Sequence, residues 1–401
     1  MLSSYRLVKN RSNFLYRIFC VESFDNQSIL YNNNRYRSIE QCPIIKSSPY
    51  ICDYQRNCFN PLFDISKTFS TINDPKNGFD YLSGTIASQL VDRLPDEVRP
   101  YARLMRLDKP TGTWLLLLPC WWSIGLSTTA GSLPSLSLMT LFGIGAVLMR
   151  SAGCIVNDIW DRRFDRNVER TRFRPLASEQ IQLNEAIALL ATLLGSSLLV
   201  LIQFDLNSII LGASSLLLVA SYPSFKRFTY WPQFILGMTF NWGALLGWSV
   251  NTGGMIDLTA VLPLYMAGIC WTLIYDTIYA HQDKMDDLVL GLKSTALKFG
   301  SKTNRYLNGF TALMTASLIS TGVITDQTWP YYLSIGIMSI GLLRINRQLD
   351  VDSIQSCAWA FRQNTKIGWI LLFGIITGTF LKSPINNCRD DDADADVGDI
   401  A

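Results

Sequence analysis

The chain has 401 residues, 49% of them hydrophobic and 17% charged, against about 25% charged in soluble domains. Mean hydropathy is +0.18 although both ends are polar. These figures exclude a disordered chain and argue against an ordinary soluble enzyme. A net charge of +3 without a clustered basic face argues against a nucleic-acid binder, and no nucleic acid is expected as a partner. Nine cysteines without a C-x-x-C pair, and a single histidine (His281), offer neither a disulfide framework nor zinc-ligand spacing. The thiols read as inert and membrane-embedded.

Residues 1–21 carry Arg6, Lys9, Arg11 and Arg17 among serines and apolar residues, with no acid. That is the composition of a mitochondrial transit peptide, and no apolar run follows that would suit a secretory signal. The stretch from 22 to 95 is rich in Asn, Ser, Tyr and Pro without a sustained period. Residues 1–95 are read as presequence and poorly ordered N-terminal segment, 96–383 as a transmembrane domain, and 384–401, with Asp390 to Asp396, as an acidic solvated tail.

The central region predicts an all-α membrane protein. Thr113 to Met149 is uncharged and is broken by turn residues at Thr128–Pro134, leaving two spans. Further uncharged runs are Ala186–Phe204, Leu206–Phe225, Phe228–Ile256, Leu258–Tyr275, Tyr306–Thr325, Gln327–Leu343 and Ile367–Leu381, which makes nine spans. The last is short for a bilayer and is expected to borrow Lys382, whose stem can snorkel. Helices are required because lipid cannot satisfy an open backbone.

Positive charge segregates by loop. Arg162, Arg163, Arg166, Arg170, Arg172 and Arg174 follow span 2, and Lys226 and Arg227 follow span 4. Lys284, Lys293, Lys298, Lys302 and Arg305 follow span 6, and Arg344, Arg347, Arg362 and Lys366 follow span 8. The loops after spans 1, 3, 5 and 7 carry no Lys or Arg. The even-numbered exits and the N-terminal segment therefore share one side of the membrane, with the C-terminus opposite.

Two acidic clusters leave span 2 and span 6 on that shared side. If span 2 continues as helix, Asp158, Asp161 and Asp165 fall at i, i+3 and i+7 on one face, with Asn157 beside them. Asp276, Asp283 and Asp287, at i, i+7 and i+11, form the second face. Aligned like charges repel, so cations must sit among them. Carboxylates and an amide are hard oxygen ligands, and Mg²⁺ binds through a few carboxylates plus substrate phosphates. A Mg²⁺-chelated diphosphate is the client this predicts. Lys or Arg nearby can stabilise a departing diphosphate. Tyr222 and Lys226, four apart, and Gly291-Leu292-Lys293-Ser294-Thr295 lie on the same side.

At these residues the sequence resembles the UbiA-type intramembrane prenyltransferases. The N-D-x-x-D-x-x-x-D motif stands as Asn157 to Asp165, and a D-x-x-x-D motif as Asp283 and Asp287, framed by Tyr275-Asp276-Thr277. Arg106-Leu107-Asp108-Lys109-Pro110-Thr111-Gly112-Thr113-Trp114 resembles the start of span 1 in 4-hydroxybenzoate polyprenyltransferases, nearest the mitochondrial ubiquinone-pathway kind. The resemblance runs from about residue 100 to 382.

The resemblance implies nine transmembrane helices around a central cavity, Mg²⁺ as cofactor, and active-site loops facing the matrix from the mitochondrial inner membrane. Metal and diphosphate fall to Asn157, Asp158, Asp161, Asp165, Asp283 and Asp287. Tyr222 and Lys226 match a Y-x-x-x-K element that touches the diphosphate, with Arg227, Asp276 and Lys293 also bordering the substrate. The expected partners are a polyprenyl diphosphate, 4-hydroxybenzoate, the lipid bilayer and other ubiquinone-biosynthesis proteins. The expected reaction is prenylation of the ring carbon ortho to the phenol, with Asp283 or Asp287 receiving the ring proton or stabilising the cation. Arg106 and Lys109 are expected to hold the aromatic carboxylate. Two alternatives stay open: a related prenyltransferase acting on haem or homogentisate precursors, and an ion-coupled transporter, since intramembrane acids also mark ion paths.

Overall fold

A computed structural model describes residues 85–166 and 171–383, which all fall in one compact unit. The acidic tail and the presequence up to residue 84 lie outside the described residues. Within the segment ending at residue 95, helix α1 (Ile86–Asp92) starts where the Thr85 hydroxyl accepts from the Ser88 N–H at 3.2 Å. Helix α2 (Arg99–Leu104) follows, tied to α1 by Arg103 on Asp92 at 2.9 Å.

Among the described residues there is no strand, and nine helices run to 17 residues or more. They are α3 (Thr111–Ser127), α4 (Leu136–Trp160), α6 (Leu183–Leu201), α7 (Leu206–Phe228), α8 (Pro232–Asn251), α9 (Leu258–Ala280), α12 (Thr303–Ile324), α13 (Trp329–Gln348) and α14 (Ile354–Phe380). The short helices α5 (Arg162–Asp165), α10 (Lys284–Leu290) and α11 (Thr295–Phe299) lie in the loops. Four stretches are long and apolar enough to cross a membrane: Leu136–Trp160, Leu183–Leu201, Leu258–Asp283 and Thr295–Ile324.

Caps set the starts. Asp205 accepts from the Ser208 N–H ahead of α7 at 3.0 Å, and Asp257 from the Thr259 N–H ahead of α9 at 2.9 Å. Glu185 reaches back to the Gln182 N–H at 2.8 Å, the reciprocal cap of α6. The expected break between the first two spans stands between Ser127 and Leu136.

The last helix departs from expectation. It is not short: α14 runs 27 residues from Ile354, well before the uncharged run begins. Arg362 and Lys366 belong to it, because Cys357, Ala360, Asn364 and Ile367 on its other face are buried. Lys382 lies beyond its end and donates to the Thr325 carbonyl at 2.6 Å.

The main core is built on α3, α8, α9, α12, α13 and α14, around Trp122, Trp271, Met314 and Leu371. Here α3 packs on α8 and α14, and α9 packs on α8, α12 and α14. Close approach at the centre requires Gly368, whose carbonyl accepts from Trp122 Nε1 at 3.0 Å. Large apolar side chains such as Leu217, Leu199 and Ile340 stay exposed on the outside, as lipid-facing surface would. Helix α4 packs on α3 and α6, and on its α6 side a smaller apolar cluster forms: Leu104, Ala152, Ile155, Leu176, Ile181, Ala186 and Leu193. That cluster underlies the site.

Candidate active site

The first acidic motif and two arginines meet at the end of α4. Asn157 and Asp158 lie on the last turn of α4, which stops at Trp160 instead of continuing through the motif. Asp161 caps it with φ −92° and ψ 3°, and α5 begins at once. The Asp161 N–H donates to the Asn157 carbonyl and the Asp165 N–H to the Asp161 carbonyl, both at 2.8 Å. The i to i−4 bonding thus carries the register across the break. The carboxylates of Asp158 and Asp165 are 3% and 10% exposed, and Asp161 is half-buried.

Burying these charges demands counter-charge, and two arginines supply it. Arg106 Nη2 lies 3.0 and 3.1 Å from the two oxygens of Asp158. Arg174 Nη1 bridges Asp158 Oδ1 at 3.0 Å and Asp165 Oδ2 at 2.8 Å. The smaller core aims both. Leu104, fully buried, fixes the end of α2 two residues before Arg106, and Ser151 on α4 bonds the Met105 carbonyl at 3.1 Å. Leu176, also fully buried, pins the loop two residues after Arg174.

Arg106 occupies a demanding position. Its N–H donates to the Arg103 carbonyl at 3.0 Å and the Leu107 N–H to the Ala102 carbonyl at 3.1 Å, the paired closure of a helix C-terminus. The residue there must be left-handed, and Arg106 has φ +59°. Glycine adopts this without penalty, whereas a side chain costs roughly 1–2 kcal/mol.

Burial opposes the Arg106 charge most strongly, but Asp158 together with Cys154, Tyr279 and Asp108 outweighs it and holds the guanidinium above its ordinary value. Burial pushes the Asp165 carboxyl up, against the pull of Arg174. Asp108 is also pushed up by burial, against Lys109 and Arg106, and one of its oxygens is buried with no hydrogen-bond partner among the described residues.

The second motif does not hold a single helical face. Helix α9 ends at Ala280, and a 3-10 turn, His281–Asp283, separates it from α10. At three residues per turn this segment overwinds the chain, so Asp276 and Asp283 do not keep the register that i, i+7 spacing assumes. Asp276, Asp283 and Asp287 are all half-buried. Gly291, with φ +68°, closes α10 as the Leu292 N–H donates to the Asp287 carbonyl at 2.9 Å. Thr277 and Thr295 share a hydrogen bond of 2.7 Å, and the Thr295 N–H donates to Gln233 Oε1 at 3.1 Å, tying this loop to α9 and α8. Lys293 lies against the end of α7, donating to the Phe228 carbonyl at 3.2 Å and covering the Tyr230 ring at 5.3 Å. His281 is turned to structural use on Thr303 at 2.9 Å.

Tyr279 on the last turn of α9 lies within electrostatic reach of Arg106, so the second motif's helix ends beside the first. Among the described residues, no three His, Cys, Asp or Glu side chains form a group that could hold a metal ion. Lys109 is half-buried and Arg227 exposed. The side chains of Tyr222 and Lys226, on α7, lie outside what the structure describes. Sequence reasoning gave Arg174 no more weight than its neighbours Arg170 and Arg172, and it missed Arg150. Arg150 is half-buried on α4, 5.7 Å from the Phe240 ring and packed where any side chain on Gly112 would stand. The available signal was a charge directly following the uncharged run Thr113–Met149, since ionisable groups at such depth are rarely idle.

Comparison with known proteins bears out the family resemblance. The chain is 54% identical over 293 residues to 4-hydroxybenzoate polyprenyltransferase, mitochondrial, of Drosophila melanogaster, covering 73% of this chain and 74% of that one. It is 49% identical to the protein of that name from Homo sapiens, covering 74% and 80%. Among solved structures, a UbiA homolog from Aeropyrum pernix K1 superposes with a TM-score of 0.57 at 24% identity, covering 66% of this chain and 97% of that one. A digeranylgeranylglyceryl phosphate synthase superposes at 0.53 and 19%, covering 71% and 99%. Both likenesses concern the fold, an all-helical one. Residues 116–369, which include both acidic motifs, match the UbiA prenyltransferase family, and the chain belongs to that family.

Proposed function

We propose that the protein transfers a polyprenyl group from a polyprenyl diphosphate to 4-hydroxybenzoate, at the ring carbon ortho to the hydroxyl. The setting is the mitochondrial inner membrane, as an early membrane step of ubiquinone biosynthesis. The observation that carries the reading is the buried pair Asp158 and Asp165, charge-compensated by Arg106 and Arg174 beside the end of α9. Relatives near 50% identity that are named for this activity support the choice of substrates.

The residues fit a divalent cation by chemistry. The first motif offers an amide and three carboxylates, all hard oxygens. The charge on two buried carboxylates is now balanced by two guanidinia, which matches a doubly charged ion. Asn157, Asp158, Asp161 and Asp165, with Asp283 and Asp287, would hold Mg²⁺. When bound, Mg²⁺ neutralises the diphosphate and eases its departure.

The chain's own residues do the rest. Lys226 and Tyr222 contact the diphosphate, with Arg227, Asp276 and Lys293 at its border. Asp283 or Asp287 accepts the ring proton. Lys109 and Arg150 are the cations available to the aromatic carboxylate, and Arg106, expected there from sequence, stands on Asp158. The packed helices exclude water from the allylic cation.

Membrane vesicles holding the protein, given labelled polyprenyl diphosphate and 4-hydroxybenzoate, are expected to yield an extractable prenylated lipid. Asp161→Asn and Asp287→Asn are expected to abolish it with membrane insertion intact. Normal turnover in either variant at low Mg²⁺ overturns the shared metal site. In this reading all nine long helices cross the bilayer and the loops Arg162–Arg174 and Lys293–Arg305 face the matrix. Protease cleavage of the Arg162–Arg174 loop from the intermembrane side of mitoplasts overturns that orientation.

A further inference from the structure

We infer that Arg106 and Arg174 are stand-ins for the divalent cation at the first acidic motif, so that the site takes up metal together with a diphosphate and poorly by itself. The inference rests on the metal–diphosphate reading above. Both oxygens of Asp158 are engaged, Oδ1 by Arg106 and Arg174 and Oδ2 by Arg106, while Oδ2 of Asp165 is engaged by Arg174. A free cation reaching these oxygens must first displace a guanidinium. The displaced guanidinium would then lie in a partly buried place, since both arginine side chains are only about one-fifth exposed at 20% and 21%, without its anion. That exchange is unfavourable, because breaking a buried pair leaves a charge uncompensated.

A diphosphate changes the balance. Its oxygens suit the planar guanidinium fork, so both arginines pass from carboxylate to phosphate as the metal takes the carboxylates. Each charge keeps a partner throughout. The backbone of Arg106 points the same way. A glycine would close the α2 turn at φ +59° without strain, yet this chain places an arginine there, so the strained backbone serves to aim its side chain. Arg106 and Arg174 are positioning residues in this account. They hold the motif acids in place before substrate arrives and couple metal affinity to diphosphate affinity, a coupling that must be reciprocal.

The test uses full-length protein in lipid nanodiscs, with Mn²⁺ binding read by electron paramagnetic resonance, alone and with inorganic diphosphate. The parent is expected to bind Mn²⁺ weakly alone and at least about tenfold more tightly with diphosphate, the scale of one charge-assisted contact. Arg106→Gln is expected to tighten Mn²⁺ binding without diphosphate about tenfold and to shrink the gain from diphosphate. Arg106→Lys keeps the charge but loses the fork, so an intermediate value is expected, and it serves if the glutamine variant does not fold. Metal-only affinity equal to the parent's in the folded variants overturns the inference while the parent's diphosphate-dependent Mn²⁺ binding leaves the underlying reading standing. Failure of the parent to bind Mn²⁺ even with diphosphate overturns both. Asp158→Asn is expected to lose this binding, and its retention there would place the metal elsewhere and overturn the inference.

Discussion

Arg174→Ala removes a guanidinium shared by two buried carboxylates. Its two contacts, at 3.0 and 2.8 Å, are charge-assisted, and such bonds contribute about 1.5–3 kcal/mol each. The arginine side chain is only 21% exposed, so water screens little of this. Arg106 remains on Asp158, which places the expected loss at the low end, about 3 kcal/mol, as when one partner of a buried pair is removed. For a chain of 401 residues the unfolding entropy converts this at roughly 1 °C per kcal/mol, so the melting temperature of the solubilised protein falls by about 3–4 °C near neutral pH. The pH dependence has a definite sign. Burial already raises the Asp165 carboxyl, and losing Arg174 raises it further. For a raised acid the native state is favoured when the group is protonated, below the ordinary carboxylate range, and that advantage is lost as pH rises through the raised value. The deficit is therefore large near pH 7 and smaller near about pH 5. Thermal unfolding at the two pH values checks this. A variant melting within about 1 °C of the parent at neutral pH, or equally impaired at both, refutes the reasoning.

Gly368→Ala puts a Cβ 2.6 Å from Leu118 Cδ1 and 2.9 Å from the Trp271 ring, so thermal unfolding should show a loss of about 1–3 kcal/mol. An unchanged melt would mean that α14 slides away from α3 and α9 at little cost. Arg150→Ala should raise KM for 4-hydroxybenzoate about tenfold and leave that for the prenyl diphosphate nearly unchanged. Steady-state kinetics with each substrate varied decide it, and an effect confined to the diphosphate moves Arg150 to the other half of the site.

The sequence by itself determined where the long helices run. Leu206 and Leu258 open both the uncharged runs and helices α7 and α9, because apolar content summed along one segment is a local property. The acidic motifs were equally legible, as was the need for cations among them. Two things were decided only by tertiary structure. The extent of α14 depended on which face is buried, since Arg362 and Lys366 hid a helix that Cys357 and Ala360 anchor in the core. The identity of the cations depended on folding as well. Arg106 lies 52 residues from Asp158 in the chain and Arg174 lies 16 away, and neither interval encodes a contact. They meet because Leu104 and Leu176 bury into one small apolar cluster against Ile155 on α4, and a low-dielectric pocket then makes an unpaired carboxylate too unfavourable to leave alone.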